Sequence, residues 1–312
     1  MLEAIPDDYR SGFVALIGRP NVGKSTLVNQ FVGEKVAITS PVAQTTRNRL
    51  RAILTTPKAQ LVMVDTPGIH KPHHLLGERL VQSARVTIGE VDVVLLLLEA
   101  CHLPGRGDSF IVNLLRQQKI PVVVALNKSD LVSKEEYLER ERLYRTFLSD
   151  SGWPIYSCSA LKGEGCGLLT KSLADHLPIG PQLYPSNMVS DQPEKVLLAE
   201  LIREQVLLQT REEIPHSVAV KIDRLEEIPS EKNKKNTQGY TAILATVLVE
   251  RKSQKGILIG KGGSMLKTIG QGARLQMQTL IDGRVYLELF VKVVPDWRRK
   301  PARLAELGYE VI

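Results

Sequence analysis

The stretch FVALIGRPNVGKST, residues 13–26, constrains the fold of this chain more than any other. A short apolar run ends at a glycine, and G-x-x-x-x-G-K-[ST] follows at Gly18, Gly23, Lys24 and Ser25. That pattern has meaning only where a buried strand turns through a loop into a helix. Backbone N–H groups of the loop then surround phosphates at the helix N-terminus, where the helix dipole favours anions. The motif therefore demands an α/β layer from its first strand onward. Lys24 is expected to reach the β- and γ-phosphates, and Ser25 to offer its hydroxyl to Mg²⁺. Arg19, Pro20, Asn21, Val22 and Thr26 complete the candidate loop.

Further apolar runs recur at the spacing such a fold needs. QLVMVD (60–65), VDVVLLLLEA (91–100), IPVVVALN (120–127) and WPIYSCSA (153–160) suit strands buried on both faces. Helical periodicity falls between them, over 106–118, 134–148 and 165–177. Strands alternating with helices give βαβ units and a mostly parallel sheet. One pair differs: LRAILTT and QLVMVD are separated only by PKA, close enough for an antiparallel hairpin. The texture then changes. LPIGPQLYPSNMVSDQPEK, 177–195, holds four prolines and no periodicity, and reads as a linker. An amphipathic helix is expected over 193–210. Strand-like HSVAVKI (216–222), YTAILATVLVE (240–250) and GRVYLELFVKVV (283–294) follow, the first two separated by polar EKNKKNTQG (231–239).

NKSD, 127–130, stands at the end of an apolar strand. A carboxylate accepts hydrogen bonds from both N1–H and the N2 amino group of guanine, and adenine offers neither. Asp130 is expected in that role. Asn127 would support the loop and contact the base edge, and Lys128 would lay its aliphatic stem on the base plane, with Ser129 between. CSALKG, 158–163, offers the Ala160 N–H to guanine O6, flanked by Ser159 and Leu161. DTPG closes a strand at Asp65, Thr66, Pro67 and Gly68, with Ile69 next. Asp65 is placed to help hold Mg²⁺, and the Gly68 N–H to meet a γ-phosphate. QTTRN, 44–48, supplies a threonine for the metal; Thr46 is preferred to Thr45, although spacing alone does not choose. Lys24, Thr46 and Gly68 are thus the candidates for the hydrolytic step.

A second glycine-rich loop, ILIGKGGSMLKTIG, spans 257–270. No G-K-[ST] closes it and no acid is set for Mg²⁺, so it does not repeat the first. The whole chain carries +7, but residues 251–305 alone hold twelve Lys/Arg against three acids, a net +9. Such a surface attracts polyanions, nucleic acid first among them. Gly260, Lys261, Gly262 and Gly263 form a G-x-x-G between two helices expected to be short. That loop and the order helix, strand, strand, helix, loop, helix, strand resemble a prokaryotic, type-2 K-homology (KH) domain, which clamps the backbone of about four nucleotides. Lys261 and Lys267 would meet phosphates, the glycines admit the backbone, and Ile257, Leu258 and Ile259 line a cleft for bases.

GRPNVGKSTL, QTTR, DTPGIH, NKSD and SAL, in this order, resemble the GTPase superfamily. Over essentially its whole length, through IREQ, EIPHSVAV, the G-x-x-G loop and LAELGY, the chain is similar to the bacterial Era family. The fold implied is a P-loop GTPase domain with a mostly parallel sheet, followed by a smaller α+β KH domain. Its expected limits are 11–179 for the GTPase domain, 180–194 for a linker, 195–295 for the KH domain and 296–312 for a C-terminal tail. The resemblance implies GTP and GDP with Mg²⁺ as ligands, and binding to the 3′ region of 16S rRNA and the 30S subunit during its biogenesis. A cytoplasmic monomer with peripheral membrane association is also implied. Ile69 stands where many GTPases place a water-orienting glutamine, so intrinsic hydrolysis should be slow, with Arg47, His70, His73 and His74 nearby. Asn21 resembles the residue of GTPases that recruit K⁺ as an added charge. Two rivals stay open: a constitutive RNA binder with an inert nucleotide domain, and a signalling GTPase whose second domain binds protein.

Composition excludes other classes. The longest apolar run, VVLLLL at 93–98, is far short of the ~20 residues of a membrane span. MLEAIPDDYR has no apolar segment of a signal peptide. Cys101, Cys158 and Cys166 fit no metal spacing and read as reduced, packed thiols.

Overall fold

The computed structural model describes residues 6–42, 50–66, 68, 86–229, 239–281, 283–300, 302, 304 and 307. Its chain divides into two units. One takes residues up to 37 and 46–191; the other takes 38–45 and everything from 192.

In the first unit, β1 (Arg10–Gly18), β2 (Leu50–Thr55), β3 (Ala59–Asp65), β4 (Val93–Glu99), β5 (Val122–Asn127) and β6 (Ile155–Ser157) form one sheet, ordered β2-β3-β1-β4-β5-β6. Neighbours are parallel except β2 and β3, which form the expected antiparallel hairpin. Helices α1 (Lys24–Val32), α2 (Arg106–Arg116), α3 (Lys134–Phe147) and α4 (Cys166–His176) connect the strands. β4 shows why the sequence runs apolar without a break: every position is buried. Val93, Leu95 and Leu97 join Leu16, Leu27 and Leu169 in one core, while Val94, Leu96 and Leu98 join Ile17, Ile111 and Leu115 in another. Successive side chains point to opposite faces, and helices cover both. Each such leucine contributes roughly 1.5–3 kcal/mol through burial. The sheet therefore ends rigidly at its carboxyl edge, where open α/β sheets bind ligands.

The second unit begins its main chain with α5 (Glu194–Gln209). β7 (Ala219–Ile228) and β8 (Tyr240–Val249) are antiparallel, and β9 (Arg284–Val293) runs parallel to β8. A parallel pair requires a crossover. Here it is α6 (Lys252–Ile259), the 260–263 turn, and α7 (Ser264–Ile281). Two expectations change. The strand expected from 216 starts at Ala219, because Ile214–Ser217 winds into a single helical turn with Pro215 near its start. The helix after the turn has 18 residues and is not short. Ile269, Ala273 and Met277, four residues apart, stay on one buried stripe and carry α7 past Gly270 and Gly272.

Residues 38–42 belong to this second core despite their place early in the chain. Ile38 is buried among Leu201, Val206 and Ile243, and Val42 packs on the same cluster. The Thr39 N–H donates to Glu204 Oε1 at 2.7 Å, and Glu204 Oε2 accepts from Gln276 Nε2 at 2.8 Å, which links α5 to α7. Trp297, expected within a tail, is 1% exposed; its indole N–H donates to the Ser217 carbonyl at 2.9 Å.

Candidate functional site

The P-loop leaves β1 at Gly18, between β3 and β4 in the sheet. Asn21 and Gly23 have positive φ, 64° and 101°, which turns the loop so that α1 starts at Lys24. Gly23 carries no side chain to cap α1, so the first N–H groups of that helix face the loop's interior without a side-chain acceptor from the cap residue. Lys24 is buried, and its ammonium donates to the Gly18 and Arg19 carbonyls at 3.2 and 3.0 Å. Burial lowers its pKa to about 8, while the charge of Asp65 pulls it back up.

Parallel register sets Leu16 of β1 beside Asp65 of β3, so the DTPG segment emerges next to the P-loop. Asp65 is fully buried and accepts from Ser25 Oγ at 2.8 Å. Thr66 Oγ1 donates to the Leu16 carbonyl at 2.7 Å. A Cβ on Gly68 would lie 2.6 Å from the Pro20 nitrogen, so only glycine lets this backbone rest against the P-loop. Ser25 and Asp65 thus bring a hydroxyl and a carboxylate oxygen together, the hard donors that suit Mg²⁺. Thr45, Thr46, Arg47, Pro67, Ile69, His70, His73 and His74 lie outside the described residues.

Asn127 ends β5 at 1% exposure and braces three loops. Its Nδ2 donates to the Val22 carbonyl at 2.8 Å, and its Oδ1 accepts from the Ala160 N–H at 2.9 Å. The Ala160 N–H, expected to face a base oxygen, is therefore directed at Asn127. That burial also favours the supporting role of Asn127 over contact with a base edge. Ser129 N–H donates to the Cys158 carbonyl at 3.2 Å, and Ser159 Oγ accepts from Lys162 N–H at 3.1 Å. Leu161 is exposed. Asp130 is half-buried, and its carboxylate has no hydrogen bond or ion pair among the described residues. Cys158 lies behind this wall, its thiol pushed by burial up to about 12 and so inert.

Sequence reasoning passed over one cluster. Glu99, the last residue of β4, faces both Arg19 and Lys128, and buried Asp108 of α2 faces Arg19. The signal was an acid closing an otherwise apolar strand.

In the second unit, Gly260 caps α6 with φ 70° and ψ 176°, and Gly262 and Gly263 also have positive φ. A Cβ on Gly260 would come within 2.8 Å of Met265, so the close turn between the helices requires glycine there. Lys261 and Lys267 are exposed, as are Arg251, Lys252 and Arg274. Ile259 is partly buried against the core, and Ile257 is half exposed. Leu258 is corrected: it is fully buried in the core and lines no cleft, because α6 turns consecutive residues to different faces.

Residues 13–128 match the family description "50S ribosome-binding GTPase", and residues 213–298 match that of the KH domain. GTPase Era of Nostoc sp. (strain PCC 7120) is 56% identical over 306 residues, covering 98% of this chain and 91% of the relative. GTPase Era of Synechocystis sp. (strain PCC 6803) is 53% identical over 306 residues, covering 98% and 94%. Two solved structures superpose with a TM-score of 0.88 at 38% identity, covering 97% of this chain and 100% of theirs. One is a variant of Aquifex aeolicus Era bound to GDP·AlF4⁻; the other is Era in complex with MgGDPNP and nucleotides 1506–1542 of 16S ribosomal RNA. Fold and site together define a P-loop GTPase joined to a KH module. The chain belongs to the Era family of GTPases, enzymes that hydrolyse GTP to GDP and phosphate.

Proposed function

We propose that this chain is a GTP-hydrolysing switch that grips the 3′ region of 16S rRNA through its KH module and assists 30S biogenesis. The turn at 260–263, exposed at Lys261 and Gly262, carries the reading, set within a window of net +9 in a chain similar over its length to an Era held with MgGDPNP and 16S rRNA nucleotides. Lys261 and Lys267 meet RNA phosphates, and Gly260, Gly262 and Gly263 beside Ile259 admit the backbone. Residues 18–26 cradle the nucleotide phosphates, and Asp130 reads guanine. Ser25, Thr46 and Asp65 would hold Mg²⁺, which would supply positive charge against that of the nucleotide phosphates. Lys24 adds its own positive charge at the γ-phosphate, and the Gly68 N–H donates there. Ile69 orients no water, so the basal rate is slow, and K⁺ recruited at Asn21 would raise it. The chain acts in the cytoplasm, in keeping with its three free thiols, and as a monomer.

The test is GTP turnover by the full chain, alone, with an oligonucleotide of the 16S 3′ end, and with 30S particles. Slow turnover that responds to either RNA supports the switch. RNA binding indifferent to nucleotide, with turnover indifferent to RNA, would make the chain a constitutive RNA binder instead.

A further inference from the structure

Sheet order puts β4 between β1 and β5. The P-loop follows β1 and the NKSD loop follows β5, so an acid at the end of β4 stands between the two nucleotide loops. Glu99 is that acid, paired in register with Asn127 and 7% exposed. It takes one cation from each loop: Oε2 lies 3.3 Å from Arg19 Nη2, and Oε1 accepts from Lys128 Nζ. Arg19 Nε lies 2.9 Å from Asp108 Oδ1, and the other oxygen of fully buried Asp108 accepts from the Gly105 N–H at 2.9 Å. The backbone around Glu99 is fixed as well. Its carbonyl accepts from Tyr144 Oη at 3.2 Å, and the Ala100 N–H donates to the Asn127 carbonyl at 2.7 Å.

Lys128 has a left-handed backbone, φ 63°, which lysine seldom adopts. A long side chain leaving such a residue has no fixed direction until something holds its end. Arg19 likewise sends its guanidinium to two carboxylates. Carboxylates this buried are tolerated when paired with cations and hydrogen-bonded. Glu99, Cys101 and His102 do bring three ligand atoms within 4.8 Å of one another. Both Glu99 oxygens already face cations, however, so the local field disfavours a metal ion there.

We propose that Glu99 is a positioning residue for guanine-nucleotide binding. It fixes Lys128 where the base plane is read and, through Arg19 and Asp108, ties the base loop to the P-loop. The inference rests on the guanine-nucleotide reading of this site. It implies that base and phosphate ends of the nucleotide are read jointly.

The experiment measures affinity and dissociation rate of fluorescent GDP and a GTP analogue on the full chain, with melting of each ligand-free variant. Glu99→Gln keeps an acceptor but removes the charge. It should weaken guanine nucleotides roughly ten- to hundred-fold, the range for charged hydrogen bonds, mainly through faster dissociation. Arg19→Ala and Lys128→Ala should be non-additive when Glu99 is present and additive in the Glu99→Gln background. A purely structural acid would lower the melting temperature and leave that coupling unchanged. Unaltered affinity and dissociation in a folded Glu99→Gln variant overturns the proposal, as does coupling that survives it. Should Glu99→Gln fail to fold, the Arg19→Ala and Lys128→Ala cycle with Glu99 present decides alone: non-additive effects on nucleotide dissociation support the proposal, and additive ones overturn it. Wild-type chain that does not prefer guanine to adenine nucleotides would refute the underlying reading instead.

Discussion

Asp130 is the residue proposed to carry the choice of base. Its half-buried carboxylate has no ion pair among the described residues, so both oxygens remain as acceptors. Asp130→Asn replaces an acceptor pair with one donor and one acceptor, which mismatches the guanine amino group and suits the xanthine carbonyl. GTP affinity should fall about 10²–10⁴-fold, from two charged hydrogen bonds of ~1.5–3 kcal/mol each, and XTP affinity should rise. Competition of the two nucleotides against a fluorescent analogue measures both; retained GTP affinity with no gain for XTP would remove Asp130 from the base site. Lys24 makes a pH prediction. Burial lowers its pKa to about 8 from an unfolded value near 10.5. Between those values the unfolded state binds more protons, so stability rises with pH across that window: below it the buried ammonium is a constant cost, and above it that cost is gone. Nucleotide binding runs the other way, because the ammonium is the form proposed to meet phosphate. Above pH 8, affinity should fall by up to about tenfold per pH unit, with proton uptake on binding. Calorimetric titration in buffers of different ionisation enthalpy reads that proton directly, and none taken up at pH 9 would contradict it.

The turn between α6 and α7 is short, and its middle residue Gly262 meets nothing within 4 Å of an added Cβ. Changing Lys261 and Gly262 together to Asp places two carboxylates where a phosphodiester should lie, at a point that tolerates bulk, though the left-handed φ of Gly262 adds some strain. Binding of a 16S 3′-end oligonucleotide should fall by at least about tenfold while GTP affinity holds, since repulsion acts through charges within a Debye length of ~10 Å. Paired titrations of one preparation decide it; intact RNA binding would clear the turn of that role. This turn and the P-loop were both legible in the sequence because each is local chemistry: consecutive glycines, a lysine, and flanking periodicity. The parallel strands were legible because β4 admits no polar residue on either face until Glu99. What Glu99 does was not, since its partners Arg19 and Lys128 lie 80 and 29 positions away and only sheet order joins them. Leu258 misled for a similar reason: an apolar triplet does not reveal which of its members a helix turns inward.

Order along the chain and membership in a unit disagree at one place. Residues 38–42 follow α1 of the first unit, yet Ile38 sits in the second core and the Thr39 N–H serves Glu204, which is 1% exposed. The KH family match starts at 213, and nothing in the local sequence of 38–42 hints that it fills a hole in a fold that begins more than 150 positions later. A fragment of residues 192–312 alone should therefore be less stable than one restored with 38–42, by roughly 1.5–3 kcal/mol for the lost burial of Ile38 alone. Thermal melts of the fragment with and without that peptide test this, and equal melting would show the segment to be dispensable. Scissors placed at the proline-rich stretch would thus yield one whole piece and one with a missing stave. Anyone grafting this RNA-binding half onto a foreign head would have to carry five residues along from the far side of the cut.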